Sequence, residues 1–579
     1  MRTLIFSIRL MAIVAIFVPV LIPAESLPAK CDLLVAGAGT GGWGTAIQAA
    51  RMGCSVLLMD ETDWIGGQMT AAGVTSMDEG PIIRQQGIYH EFYERAVETY
   101  QKPGKSVGTC YYKSNSCAVE PRIGQKILYD FICEVNKKGP GHIEVSLRSR
   151  VVKVYRSGNQ AQGADVESVR PNGLVTNHIE CTILVDATEY GDVLPLTGAR
   201  YRIGKSTSDN IDLKARIQDN TWTAVIKEYP AGIPAELQIT APPPGYAETR
   251  LKKHFDRIQV AGDGNKKLGF DDLYGEKTPW RAVTWYRGMP DSSRKDTPPY
   301  NNPTRTHLNI PQNDMSMTSG DVVDPTQRWT KEIEMRLVTL QLLYHLQHEL
   351  KLSWAVANDE GYDSPYNRDQ VARIVNERPS LKPYERILQL FPPIAYVRES
   401  RRMIGVQTLA GSDISRAEGP KFFADAISVN DYSEDFHGAK SPKDMEASLE
   451  TVPTNTTKLP FSKRAGPFQL PFAAFIPESL DGFLAAEKNI SQSRRANGAS
   501  RLQPSTMLNG QAVGVIAALA IKNKIQPRAV DPIQVQKILL DANVQLVYAP
   551  AAAPRSSPAW KQDQLSRLHS EPLNRSQRR

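Results

Sequence analysis

Three glycines, Gly37, Gly39 and Gly42, follow the apolar run CDLLVAGAG and open the helical pattern TAIQAARMG, which leads into a second apolar run, CSVLLMD. That order predicts a strand, a glycine-rich turn, a helix and another strand, the beginning of a βαβ unit and of a parallel sheet. Each glycine has its own reason. The first allows the tight turn, the second lets a pyrophosphate approach the backbone, and the third lets helix and strand pack closely. The loop Gly37, Ala38, Gly39, Thr40, Gly41 and Gly42 is therefore expected to cradle a diphosphate at the helix N-terminus, where unpaired N–H groups and the helix dipole favour negative charge. Asp60, 18 residues after Gly42, ends the second run, where a carboxylate can accept from ribose hydroxyls; Glu61 follows it in the same place.

A chain of 579 residues exceeds what one hydrophobic core comfortably holds, so two cores, or one with a large insertion, are expected. The net charge of +7 is unevenly placed: residues 1–26 carry +1 and residues 555–579 carry +4, leaving +2 on the long body between them. A nucleic-acid partner would need a concentrated basic footprint on the folded part, and none is evident. The basic tail, with Pro554, Pro558, Pro572 and many Ser, Gln and Arg residues, reads as a solvated extension.

The opening residues place Arg2 and Arg9 around and before an apolar run from Leu10 to Ile22, short for a membrane span and suited to an export signal, with Ala24 and Ser26 as small residues for cleavage. Export to the periplasm or medium is the expectation; an uncleaved N-terminal anchor is the alternative. Six cysteines, without any C-x-x-C pair, do not make a disulfide scaffold. In an oxidising compartment, Cys110 and Cys117 could close a short loop or remain free thiols.

Further along, EVSLRSRVVKVY, ADVESVR and TILVDA, separated by turn sequences, predict short strands, the last apolar enough to be central. Residues 201–460 change character, rich in Pro and Gly, with strand-like pieces and one long helical pattern, TKEIEMRLVTLQLLYHLQHELK. GFLAAEKNIS then predicts a strand and turn, and STMLNGQAVGVIAALAIKN a small-residue helix suited to close packing on a sheet. The resulting division is a signal at 1–26, a nucleotide-binding domain in two pieces (27–200 and 461–530), an inserted α+β domain at 201–460, and a C-terminal extension at 531–579, mostly flexible after 550.

DWIGGQ (63–68), DATEYGD (186–192), YVRESRRMIG (396–405), DAISVNDYSEDFHG (425–438), PFQLPFAAFIP (467–477) and NGASRLQPSTMLNGQAVG (497–514) occur in this order. With the glycine loop, these segments resemble the FAD-dependent oxidoreductases of the glutathione-reductase-like type, over most of residues 31–525. Some members of that family are labelled xanthan lyase. The resemblance implies an α/β fold with a Rossmann-like FAD-binding domain of discontinuous segments. It also implies that Gly37, Gly39, Gly42 and Asp60 hold the adenosine diphosphate half of FAD, that Gly66, Gly67 and Gln68 lie against the cofactor, and that Ala187 and Thr188 pass near the diphosphate. Arg501, Gln503, Gly510 and Gln511 would mark the helix entry near the flavin. One departure stands out: in AAEKNIS, Glu487 stands where flavoproteins of this type usually have glycine, and Asn489 is left to replace their ribityl-binding carboxylate.

In SEDFHG, Asp435 and His437 are two residues apart, so in a strand both would point to one side and the carboxylate could orient the imidazole. His437 titrates near neutrality and could take a substrate proton. The bland reading is a hydrogen-bonded histidine at a domain junction. In YVRESRR, Arg398 is the residue expected to bind an anionic substrate group or stabilise charge on the flavin; Arg401 and Arg402 fit better in a structural ion-pair cluster. His345 and His348 have a zinc-compatible spacing but no third ligand, so no metal site is expected. His307 fits a loop histidine without special role. HExxH, GxSxG and the P-loop lysine motif do not occur, which leaves metallopeptidase, esterase and nucleotide-hydrolase readings without support. The expected activity is an FAD-dependent two-electron oxidation of a small molecule or sugar-like substrate, with oxygen, a quinone or a redox protein as acceptor. A lyase or isomerase with non-redox or structural FAD, or a non-catalytic flavin-binding electron-transfer protein, is the alternative.

Overall fold

The computed structural model describes residues 27–100, 116–246, 258–259, 278–294, 303–417, 419–450, 464–548 and 553–569. The proposed export signal, Cys110 and the last ten residues lie outside them.

β1 (Lys30–Ala36), α1 (Thr40–Arg51) and β2 (Ser55–Met59) form the expected first unit, with β1 and β2 parallel from Leu33 beside Val56 to Ala36 beside Met59. β1 ends in four consecutive buried residues because it is covered on both faces, which removes the alternation a half-exposed strand would show. After α2 (Gly87–Tyr100) and α3 (Pro121–Lys138), β3 (His142–Ser146) extends the sheet beyond β2. β4 (Ser149–Ser157), β5 (Gln160–Arg170) and β6 (Gly173–Asp186) then run as an antiparallel meander.

β6 joins the antiparallel and parallel parts of one seven-stranded sheet. Its first half, mostly exposed, pairs with β5; its second half, ending in the buried ILVD, lies parallel to β1. The composition change inside one strand, from GLVTNHIE to TILVD, marks where it leaves the solvent-facing antiparallel part of the sheet for the buried parallel part.

Between residues 201 and 460 the strands are short and mostly antiparallel, with Ile258–Gln259 and Thr278–Pro279 pairing parallel. β7 (Arg216–Thr221) pairs with β10 (Asp314–Thr318), and β8 (Val225–Glu228) lies between β9 (Arg305–His307) and β11 (Trp354–Val356). The long helix, α4 (Pro325–His348), starts at Asp324, whose carboxylate accepts from the N–H groups of Thr326 and Gln327. β12 (Ala426–Asn430) pairs with β13 (Phe468–Pro471). One continuous buried apolar cluster runs through this region and the parallel sheet together.

The chain returns with β14 (Phe483–Ala485), parallel to β6, so the parallel part of the sheet reads β3-β2-β1-β6-β14. α5 (Arg494–Ser500) and α6 (Gln503–Asn523) follow. α6 is long and apolar enough to cross a membrane, but 94% of its most apolar window is buried in the protein, as befits a core helix. It crosses α1 at backbone contact: a Cβ on Gly510 would lie 2.0 Å from the Gly41 carbonyl oxygen, and one on Gly514 2.6 Å from that of Thr45. Gly510→Ala is expected to destabilise the protein by about 1–3 kcal/mol, the cost of overpacking, and to weaken flavin retention, because the strain falls on the α1 N-terminus. Denaturant unfolding and the absorbance ratio of flavin to protein would check both.

The C-terminal residues differ from the solvated extension expected of their composition. After α7 (Pro532–Asp541), α8 (Pro558–His569) packs on the body with Trp560 and Leu568 buried. The Gln564 side chain accepts from the N–H groups of Leu546 and Val547 at 3.0 and 2.8 Å. Trp560, Gln564 and Leu568 are four apart, one stripe of a helix, and this stripe outweighs the surrounding polar residues.

Candidate active site

The turn after β1 is built around Gly37, whose φ of +96° favours glycine and whose Cβ would lie 2.2 Å from the Ala187 carbonyl oxygen. A Cβ on Gly42 would meet the Gly37 oxygen at 1.9 Å, so the helix starts directly on the turn. The Gly66–Gly67–Gln68 segment closes over the same loop through Gly66 N–H donating to the Ala38 oxygen at 2.7 Å. Asp60 accepts from Ala38 N–H at 2.9 Å and from both the N–H and hydroxyl of Thr62. Burial pushes its pKa up to about 6 against those donors.

Above this floor lies a cavity of about 420 Å³, lined by Gly37, Gly39, Asp60, Glu61, Gly67, Ala187 and Thr188, with Ser149–Val152 of β4 at one side. A second lobe of about 320 Å³ shares Glu61, Arg150, Glu189 and Arg328 with it and reaches Trp222 and Tyr366. The glycine floor, the helix N-terminus and the acidic strand end fit the adenosine diphosphate half of FAD. Thr40 and Thr188 spend their hydroxyls internally, on Thr506 at 2.6 Å and on Asp186 at 2.7 Å.

Where α6 begins, Gln68 Nε2 donates to the Arg501 oxygen at 2.9 Å, and Gln503 Nε2 to the Val74 oxygen at 2.9 Å. The Oε1 atoms of Gln68 and Gln503 are buried without a hydrogen-bond partner, which leaves polar capacity for a bound group. Gly510 lies on Gly41, and Gln511 bonds Ile88 N–H and Gln48, so both hold the helix seam rather than line the cavity. Asn489 is also committed, accepting from Glu487 N–H and donating to the Asp186 oxygen.

A family model described as FAD dependent oxidoreductase matches residues 32–539. The chain belongs to this family. FAD is the cofactor of this FAD-dependent oxidoreductase. No curated protein matches it by sequence. Among solved structures it is similar to a myxobacterial chondrochloren halogenase at 16% identity, with a TM-score of 0.21 over 36% of this chain and 46% of that one. It is similar to L-proline dehydrogenase from P. horikoshii at 15% identity, with a TM-score of 0.24 over 35% and 62%. A geranylgeranyl bacteriochlorophyll reductase-like protein from Thermoplasma acidophilum is 10% identical, with a TM-score of 0.32 over 95% and 89%. The match thus spans less than two thirds of the halogenase and the dehydrogenase, and likenesses this distant do not bear on activity.

His437 of the oxidoreductase follows β12 in a stretch without regular structure, so strand alternation is not what brings Asp435 to it. Asp435 Oδ2 nevertheless lies 3.5 Å from Nε2. The closer carboxylate is one that sequence reasoning missed: Asp314, at the start of β10, meets Nδ1 at 2.6 Å. Burial and the Arg398 charge lower the imidazole pKa, but Asp314 and Asp435 outweigh them and hold it above the ordinary value. For Asp435, too, burial is opposed and overcome, here by His437, Arg501 and Arg398, which leave its carboxylate strongly acidic.

Arg398 is wholly buried and turned toward protein rather than a free anion site. Its Nη2 lies 3.2 Å from Asp314 and 2.9 Å from Asn309 Oδ1, and its Nη1 donates to the Asp219 oxygen and Thr221 hydroxyl. Tyr396 lies against it, 4.5 Å from ring centroid to guanidinium, and its hydroxyl is bonded by Arg501. Arg401 pairs with Asp192 at 2.6 Å and Arg402 with Glu446 at 2.8 Å. His307 is buried beside the Thr75 hydroxyl, and burial with the Arg287 charge holds its pKa well below the usual range. His345 bonds the Tyr246 hydroxyl, and no group of three or more metal-ligating side chains occurs among the described residues.

Proposed function

We propose that this protein is an exported flavoenzyme that removes two electrons from a C–H bond next to oxygen or nitrogen in a small or sugar-like molecule and passes them to oxygen, a quinone or a redox protein. The observation that carries the reading is a continuous path of polar contacts through side chains and the Arg501 main-chain carbonyl. His437 Nε2 faces Asp435 at 3.5 Å, Asp435 faces Arg501 Nη2 at 3.3 Å, the Arg501 oxygen accepts from Gln68, and Gln68 Nε2 reaches Glu487 Oε1 at 3.5 Å beside the glycine loop. A titratable imidazole is thereby tied to the nucleotide cradle.

Bound FAD supplies two-electron redox chemistry. The chain's own contribution is to orient the substrate and handle its proton. Asp314 fixes the imidazole through Nδ1, so the looser Nε2 side is the one that exchanges a proton. Because the two carboxylates raise its pKa, His437 acts as a base only above the ordinary histidine range, and turnover should rise with pH through that value. Arg398 positions Asp314 rather than binding an anion.

Anaerobic mixing of purified protein with alcohol, amine and sugar donors, followed by admission of oxygen or quinone, tests the reading. Bleaching by at least one such donor with recovery on acceptor supports it. Bleaching by nicotinamide reductants alone, or an unsaturated product without acceptor consumption, overturns it. For export, cell fractionation with N-terminal sequencing should find a mature chain shortened near residue 26 outside the cytosol.

A further inference from the structure

Glu487, two residues past the end of β14, places its carboxylate at the N-terminus of α1: Oε2 accepts from Gly41 N–H at 2.7 Å. A carboxylate at a helix N-terminus takes the position where the orphan N–H groups and the dipole most favour an anion. It is fully buried and tightly held, since a Cβ on Gly41 would lie only 2.6 Å from Oε2 and 2.0 Å from the Ala486 oxygen. One of the N–H groups that the glycine loop offers a diphosphate is already taken by a side chain of the protein.

A second carboxylate fronts the same loop. Glu189 Oε1 is buried without a hydrogen-bond partner and lies 2.5 Å from where a Cβ on Gly67 would be and 3.5 Å from that of Gly39. Between the two acids stands Lys488, completely buried, bonded to Glu189 and 3.6 Å from Glu487 Oε1. The other polar groups facing Glu487 are Gln68 Nε2 at 3.5 Å and the Gly41 N–H, both uncharged; Tyr396 acts on Lys488. Two carboxylates and one ammonium leave one net negative charge beside a loop that must accept two more from a diphosphate.

We propose that Glu487 is an internal occupant of the nucleotide anion seat, and that FAD binding requires its carboxylate to be neutralised by a proton, so cofactor uptake is coupled to uptake of one proton. The balance is simple: one proton goes from solvent to the Glu487 carboxylate and no covalent bond to FAD forms. Burial already pushes this carboxyl up to about 7, with Lys488 opposing and Glu189 adding to the rise. A diphosphate alongside raises it further. By linkage, affinity is then full below neutrality and falls about tenfold per pH unit above it, until the pKa of the complex is reached.

The test needs no turnover. FAD removed from the holoenzyme is titrated back between pH 6 and 9 by fluorescence quenching, and proton uptake is measured at pH 8 by calorimetry in buffers of different ionisation enthalpy. The wild type should bind about tenfold more weakly per unit above pH 7 and take up about one proton. Glu487→Gln keeps an acceptor for Gly41 N–H without the charge; it should bind with a flat profile and at least about tenfold more tightly at pH 8.5. A flat wild-type profile, absence of proton uptake, or an unchanged slope in Glu487→Gln would overturn the proposal. If that variant does not fold, the wild-type calorimetry alone decides.

Discussion

His437→Gln, which keeps the side chain's polarity and approximate reach but cannot exchange a proton near neutrality, should lower kcat/KM by about 10²–10⁴-fold, the usual worth of a positioned acid–base group, with flavin content unchanged. The pH profile gives the sharper signature. In the wild type, activity should climb with pH through a value above the ordinary histidine range, because Asp314 at 2.6 Å and Asp435 at 3.5 Å favour the imidazolium. Asp314→Asn removes the stronger of these and should move the rising limb to lower pH, while Asp435→Asn moves it less. Stability carries the same sign. A folded pKa above the unfolded one means that the His437 contribution is present in full below the unfolded value and is lost as pH rises through the folded one. Wild-type activity in His437→Gln, or a limb that stays in place in Asp314→Asn, would remove the imidazole from the reaction.

The parts of this site that could be read from the sequence are those whose cause is local. The turn at Gly37, the helix starting at Thr40 and the strand ending just before Asp60 depend on residues within about thirty positions of each other, and the small residues of α6 announce a close helix contact before its partner is known. Asp314 was out of reach for the opposite reason. It meets His437 across 123 positions of chain, and nothing in PQNDMSM distinguishes it from a surface aspartate. Arg398 was legible as an inward residue, but its direction depends on Asp314, Asn309 and Thr221, all supplied by other segments. Glu487 shows both limits: its presence after β14 was visible as an oddity, whereas its bond to Gly41, 446 positions earlier, required the sheet to bring β14 and β1 to either side of β6.

The largest loss of stability is expected from Arg494→Met. Arg494 and Glu399 are both wholly buried, with Nε and Nη2 at 2.8 and 2.9 Å from the carboxylate. Removing the arginine leaves Glu399 with the Gln218 N–H at 3.0 Å and the Arg402 guanidinium at 3.6 Å, too little to offset a buried charge, and the cost should be about 3–5 kcal/mol by denaturant unfolding. Replacing both partners, as Glu399→Leu with Arg494→Met, should recover most of it, because the desolvated charge goes with its partner. Burial alone would raise the Glu399 pKa; Arg494 and Arg402 instead hold it below the usual carboxylate value. Its stabilisation is therefore present above the unfolded pKa and lost as pH falls through the lower folded one, so the wild type should lose stability in acid more steeply than the double variant. The pair joins the stretch carrying Arg398 to the first residue of α5, whose far end positions Arg501. The single variant should accordingly release flavin at lower denaturant concentration than it unfolds, and coincident release and unfolding would show that the pair supports the whole fold rather than this joint.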